Sequence, residues 1–230
     1  MKTMMIAGGL VGAALVLSGC GLKSVGGPTN QETKNYQVTE KIAALQLKSG
    51  SGDTVISEYS GTAVRVTETL QWRDDKPKAQ HSVNGDTLFV TYDCPGNFLG
   101  SCSVDYKIEV PKGLKLDVDS GSGDLTLRAV SGDLTLSNGS GEIQGSGLIG
   151  KRVYAKAGSG NIELKYASAP DSAEFNAGSG DVTLMVPQGS YAISSKVGSG
   201  DKNISVPNDP SSPHKVSFEV GSGDANMSFG

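Results

Sequence analysis

The sequence predicts an all-β domain: a β-solenoid or β-roll-like stack of two-stranded repeats of about 20 residues, with a β-sandwich of the same strands as the alternative. Two observations predict it. A Gly-Ser-Gly-acid element returns along the chain, and apolar residues alternate with polar residues on both sides of it. Alternation with a period of two is typical of a strand that buries one face. A unit of two such strands cannot bury its own apolar face, whereas stacked units can.

The amino terminus has the pattern of an exported lipoprotein. Met1-Lys2-Thr3 is followed by an apolar run of 14 residues from Met4 to Leu17, which is too short to span a bilayer as a helix but suits a secretory signal. Leu17-Ser18-Gly19-Cys20 matches a bacterial lipobox. We therefore expect residues 1–19 to be a signal peptide and Cys20 to carry diacylglyceryl and palmitate. Such lipids would anchor the exported protein to the bacterial membrane, facing away from the cytoplasm.

Residues 20–38 are predicted to hold the lipidated cysteine and a flexible tether. This stretch is rich in Gly, Pro and polar residues and has no periodic apolar face, which is typical of a linker. The β-repeat domain is then predicted to occupy residues 39–230.

Residues 61–109 interrupt the repeat and are predicted to be an inserted antiparallel hairpin region. Val83-Asn84-Gly85-Asp86 is a hairpin-turn signal, because Asn-Gly accepts the positive φ angles of a tight turn. Apolar residues alternate on both sides of this turn, as strands require.

Cys94 and Cys102 flank a short loop at the end of this inserted region. In an oxidising compartment such a pair predicts a local disulfide. The alternative, a redox or metal pair, needs further ligands, and His81 and His214 do not lie at ligand spacing from the two cysteines.

The main array is defined by the spacing of its corners. The last positions of the corner elements, 142, 161, 181, 201 and 224, are separated by 19, 20, 20 and 23 residues, and all except Asn161 are acidic. Positions 124, 133 and 142 are separated by 9 residues each. Val186-Pro187-Gln188-Gly189 is one return loop, because Pro ends a strand ladder and Gly permits a turn. Each unit is therefore predicted to be strand, glycine corner, strand and return loop. The corners are residues 49–53, 120–124, 138–142, 157–161, 177–181, 197–201 and 220–224, with 131–133 as a shortened copy.

Over residues 40–230 the chain resembles the bacterial β-strand-repeat family of putative adhesins, a domain of unknown function. The resemblance rests on the repeated Ser-Gly-Asp-apolar-x-apolar strand starts and on Tyr106-Lys107-Ile108-Glu109-Val110-Pro111. The family supplies no catalytic residues that could be transferred. Lys202 departs from the pattern, because Val182 and Ile162 occupy the equivalent inward position. This departure predicts a distorted rung or an exposed end.

The acids at the corners would stack along one edge and offer a candidate cation site. Calcium prefers six to eight oxygen ligands, and glycine-rich nonapeptide rolls supply them from turns. The alternative is that Asp and Asn side chains accept hydrogen bonds from turn amides. Like charges about 4.8 Å apart in water repel by only about 1 kcal/mol, so the ladder does not require a cation. The candidate ligands are Asp124, Asp133, Glu142, Asp181, Asp201 and Asp224.

Composition and motifs favour an interaction module over other classes. The 20 Lys and Arg residues are spread among 24 acidic ones for a net charge of −4, which argues against nucleic acid. Neither histidine forms a triad, and the Gly-Ser-Gly corners recur too often to be one nucleophile. We expect a non-enzymatic envelope module that contacts the membrane through Cys20 and binds a glycan, peptidoglycan or an envelope protein. A calcium-stabilised β-roll and an envelope polysaccharide-processing enzyme are the alternatives.

Overall fold

The computed structural model describes residue 28 and residues 30–95 and 101–230. The predicted signal peptide and Cys20 lie outside the described residues. The part of the chain that the structure describes contains strands and turns and no helix that could cross a membrane. The strands are β1 (Asn30–Val38), β2 (Ala44–Ser51), β3 (Thr54–Tyr59), β4 (Val64–Trp72), β5 (Lys78–Asn84), β6 (Thr87–Asp93), β7 (Cys102–Pro111), β8 (Lys115–Ser122), β9 (Leu125–Arg128), β10 (Leu134–Ser140), β11 (Ile143–Leu148), β12 (Arg152–Ser159), β13 (Ile162–Tyr166), β14 (Ser172–Ser179), β15 (Val182–Val186), β16 (Ala192–Ser199), β17 (Lys202–Ile204), β18 (Lys215–Ser222) and β19 (Ala225–Phe229).

These strands form two sheets. The ten-stranded sheet has the order β1-β4-β7-β3-β9-β11-β13-β15-β19-β17, and the nine-stranded sheet has the order β16-β18-β14-β12-β10-β8-β2-β6-β5. Each repeat places its first strand in the nine-stranded sheet and its second in the ten-stranded sheet, and we call such a strand pair a rung. Strands of neighbouring rungs pair in parallel. The predicted β-solenoid-like stack is thereby confirmed.

The glycine corners let the chain pass from one sheet to the other. At Gly180 the backbone has φ +116°, and a Cβ built there would lie 2.3 Å from the carbonyl oxygen of Gly160 in the neighbouring corner. L-residues rarely adopt that conformation, and no side chain fits against that backbone. The corner therefore needs glycine both for its backbone angle and for the close approach of successive corners.

The interior between the sheets is one hydrophobic core built from the alternating residues of every rung. Its largest side chains include Phe175 and Phe218, which lie on adjacent strands with ring centroids 5.3 Å apart. The last inward position before most corners holds a small or polar residue, for example buried Ser120, Asn138 and Ala157, whereas Val220 occupies it on β18. Small residues there let the two sheets converge.

The rungs do not stack in chain order at either end, contrary to the expectation that successive units lie next to each other. The last unit, β18/β19, lies between β14/β15 and β16/β17. The inward residues explain this order. The last unit buries Phe218 and Ala225, whereas β16/β17 would have to bury Ser195 and Lys202 at the equivalent positions. Placing the more apolar unit inside removes more apolar surface from water and avoids a buried charge.

Rung β16/β17 is consequently the exposed end that the sequence predicts from Lys202. The Lys202 side chain is exposed, and its ammonium donates a hydrogen bond of 2.7 Å to the carbonyl oxygen of Ser195. The segment between β17 and β18 packs against this rung, because its Val206 is buried and its Asn208 forms a parallel bridge with Tyr191. Strand β17 is a short edge strand, and it carries the charge of Lys202 at an inward position of the repeat. Both features discourage pairing of this edge with another chain.

At the opposite end, rung β6/β7 lies outside β2/β3, and antiparallel strands complete both sheets. Residues 30–38, which the sequence assigns to the tether, form β1 and pair with β4 along their whole length. Val38 is buried and Tyr36 is half-buried. The assignment was wrong for these residues because an edge strand with so few buried side chains has no apolar period to detect.

The inserted region contains the predicted hairpin. Strands β5 and β6 are antiparallel around Gly85, which has φ +63°. A disulfide joins Cys94 to Cys102, as predicted. The region also extends the stack, because β6 pairs in parallel with β2 and β7 pairs in parallel with β3.

Candidate functional site

The corner acids form a hydrogen-bonded ladder along one edge of the stack. The side-chain oxygen of one corner accepts a hydrogen bond from the backbone amide of the next, at donor–acceptor distances of 2.8–3.0 Å. The donor and acceptor pairs are Asp53 to Asp105, Asp124 to Asp53, Glu142 to Asp124, Asp181 to Asn161, Asp224 to Asp181 and Asp201 to Asp224. These bonds are the turn-amide role that the sequence offers as the alternative to cation binding.

The pattern of corner hydrogen bonds is different at Glu142. The longer Glu142 side chain accepts a hydrogen bond of 2.6 Å from the side chain of Gln144, two residues along the chain, and the next corner holds Asn161. Asp105 belongs to the ladder although the sequence analysis did not select it. It follows Val104 and lacks the glycines that mark the other corners, so only the pairing of β7 with β3 reveals its position.

One candidate ligand lies elsewhere. Asp133 belongs to the return turn between β9 and β10, and it accepts from the Arg152 amide at 3.2 Å and forms an ion pair with the Arg152 guanidinium. The nine residues between positions 124 and 133 therefore separate a glycine corner from the return turn that follows strand β9. They do not separate two stacked corners. Within residues 30–95 and 101–230, no three His, Cys, Asp or Glu side chains are grouped so that they could hold a metal ion. Calcium binding stays a prediction.

A second group of polar side chains lies inside the end that carries β1. Glu68 is buried on β4, opposite Tyr106 of β7, and accepts a hydrogen bond of 3.0 Å from the Tyr36 hydroxyl. Burial raises the pKa of Glu68, and burial together with the Glu68 charge raises the pKa of both tyrosines. The His81 ring stacks on Tyr36 with centroids 3.9 Å apart. The group fastens β1 to the stack by hydrogen bonding and ring packing.

Replacing Glu68 by Gln is expected to raise stability at neutral pH. A carboxyl whose pKa is higher in the folded state contributes stability below its unfolded pKa, and that contribution is lost as pH rises through the folded pKa. The stability gain of the variant should therefore grow between about pH 4 and the folded pKa of Glu68. Urea unfolding at several pH values measures it, with Glu163→Gln on the outer face of the ten-stranded sheet as the control. A variant that loses stability at neutral pH would contradict this account.

His214 and several aromatic side chains have packing roles. His214 Nδ1 lies 2.8 Å from the carbonyl oxygen of Pro170, and the Tyr92 hydroxyl donates to the Ser51 carbonyl at 2.6 Å. Trp72 lies under the Lys76 ammonium, and Tyr59 under the Arg65 guanidinium. The side chains of Trp72, Tyr59 and Tyr92 are thus partly covered by the protein itself.

Tyr154 differs from those aromatic residues. It points outward from the nine-stranded sheet and is 38% exposed. In the strand register it lies beside Glu174, which lies beside Ser217, which lies beside Ser194. We call these four residues the Tyr154 row. A groove of about 360 Å³ is lined by Glu174, Ser217 and Ser194 of this row, and also by Ser172, Lys215, Asn208 and Pro210.

The fold and these surfaces define a class of protein: a two-sheet, β-solenoid-like repeat domain with hydrogen-bonded glycine-acid corners and polar outer faces. The Toastrack DUF4097 family model matches residues 101–228, and the chain belongs to this family. A search of curated proteins gave no significant match.

Three solved structures of bacterial proteins are similar to this chain. A putative cell adhesion protein from Clostridium sporogenes is 17% identical, covers 86% of this chain and 98% of its own, and superposes with a TM-score of 0.53. A putative adhesin from Bacteroides fragilis is 12% identical over 88% of this chain and 100% of its own, with a TM-score of 0.49. A putative lipid binding protein from Parabacteroides distasonis is 14% identical over 88% and 98%, with a TM-score of 0.38.

Proposed function

We propose that the protein is a lipid-anchored, non-catalytic interaction module of the bacterial cell envelope. The observation that carries the proposal is the lipobox at Leu17–Cys20, followed closely by a β-repeat stack that begins at Asn30. Nine residues separate Cys20 from β1. Fully extended, they span at most about 30 Å, so the lipid would hold the stack close to the membrane surface.

The construction of the domain supports an interaction role. Glu68 and Tyr106, whose pKa burial raises, are enclosed between the sheets, and both histidines have packing partners. The outer faces present rows of side chains on a backbone fixed by parallel ladders, a preorganised surface that loses little entropy on binding. The similarity of the fold to that of a putative cell adhesion protein from Clostridium sporogenes agrees with this role.

Labelling with palmitate tests the anchor. Cells expressing the full chain are expected to incorporate labelled palmitate into the protein and to retain it in the membrane fraction. Cys20→Ser should lose both the label and the retention, whereas Cys102→Ser should keep the label because Cys102 is disulfide-bonded to Cys94 within the folded domain. Label that persists in Cys20→Ser, or a wild-type protein released in soluble form, would overturn the proposed anchor.

A further inference from the structure

We propose that the Tyr154 row and the adjoining groove bind a short saccharide. The proposal rests on the proposed interaction function and names its ligand class. The four side chains of the row come from four neighbouring strands of the nine-stranded sheet, β12, β14, β18 and β16, and all project from its outer face. At about 4.8 Å between strands, the row extends about 14 Å across the sheet.

The groove has a defined wall. The side-chain oxygen of Asn208 accepts a hydrogen bond of 2.8 Å from the Ile193 amide, and the Asp209 amide donates to the Tyr191 carbonyl at 2.8 Å. These bonds hold the segment containing Pro210 against the start of β16. A binding wall that is ordered before the ligand arrives reduces the entropy lost on binding.

Five polar side chains of this surface are unpaired among the described residues, unlike those of the next row. Across the same strands, the Glu219 carboxylate binds the Lys196 ammonium at 3.0 Å and the Asn176 amide at 3.5 Å. Among the described residues, the side chains of Glu174 and Lys215 make no hydrogen bond or ion pair. The same holds for the hydroxyls of Ser172, Ser194 and Ser217. The groove therefore offers donors and acceptors that a ligand can use without breaking a protein contact.

The combination fits a saccharide better than other ligands. An exposed ring provides an apolar platform with a polar rim, and hydroxyl, carboxylate and ammonium groups can all hydrogen-bond sugar hydroxyls. One acidic and one basic side chain give the surface no net charge, which does not favour a polyanion. A peptide that extends a sheet pairs with the backbone of an edge strand, whereas the side chains of this row project from the outer face of the sheet.

A glycan array of neutral and amino-sugar oligosaccharides, including soluble peptidoglycan glycan strands, tests the proposal on the full-length protein in detergent. We expect binding to at least one saccharide, and Tyr154→Ala and Glu174→Gln should each weaken it about tenfold. Glu163→Gln, on the opposite outer face, should leave it unchanged. Thermal unfolding of each variant should match the wild type, because both substituted side chains are exposed.

Two outcomes would overturn the proposal. Wild-type protein that binds no saccharide on the array excludes the ligand class, and an immobilised peptide that binds instead identifies the rival class. Saccharide binding that survives both substitutions excludes the Tyr154 row as its site. Palmitate labelling at Cys20 is independent of all these results, so failure of the saccharide site and failure of the anchor are distinguishable.

Discussion

Gly180→Ala is expected to lower the free energy of unfolding by roughly 3 kcal/mol or more, through strain at a positive φ together with a forced backbone displacement. The added methyl group would lie 2.3 Å from the Gly160 carbonyl oxygen and 3.1 Å from the Asn161 side-chain oxygen. The corner cannot shift freely, because the Asp181 amide is bonded to that same Asn161 oxygen. Urea unfolding measures the loss as a lower midpoint at constant slope.

Gly85→Ala is the matched control. Gly85 also has a positive φ, +63°, but a Cβ there would meet no atom within 4 Å. We expect a cost of only about 1 kcal/mol, the usual penalty for alanine in a left-handed conformation. Equal losses for the two variants would mean that the corners are not closely stacked.

The second large effect is expected for Phe218→Ala, at about 3–5 kcal/mol. Phe218 is 1% exposed and packs on Phe175 in the centre of the core. Removing the ring leaves a cavity between two rungs, and the parallel ladders on both sides of β18 prevent the sheets from collapsing into it.

Phe229→Ala provides the comparison on the same rung. Phe229 lies at the end of β19 and is 37% exposed, so its removal should cost no more than about 1 kcal/mol. Thermal or urea unfolding of both variants gives the difference. A Phe218→Ala protein as stable as Phe229→Ala would mean that rung β18/β19 lies outside the core.

The repeat strands could be predicted because each buries one face. Residues such as Ile162 and Leu164, or Val182 and Leu184, alternate with polar neighbours, and glycines mark each passage between the sheets. Rung order could not be predicted from that alternation, because parallel ladders are made by backbone groups that every rung shares. Lys202 and Ser195 are the sequence features that bear on rung order, because both are polar residues at inward positions of one rung.

The candidate surface was only partly predictable. The sequence identified the corner acids as residues of interest, but the neighbours of Tyr154 depend on strand order. Glu174 and Ser217 are 43 residues apart in the sequence and become adjacent only because β18 pairs with β14. The polar strand β1 was missed for the same physical reason, since its place comes from pairing with β4 rather than from an apolar face.

The central claim is that β18 lies between β14 and β16, because this order builds both the core around Phe218 and the Tyr154 row. Disulfide cross-linking tests it directly, since a disulfide needs Cα atoms within about 7 Å. Asn176→Cys with Glu219→Cys places the pair on register neighbours, whereas Asn176→Cys with Lys196→Cys places it two strands, about 10 Å, apart. We expect the first pair to form a disulfide on oxidation and the second to remain reduced. Efficient cross-linking of residues 176 and 196, with none between 176 and 219, would contradict the account.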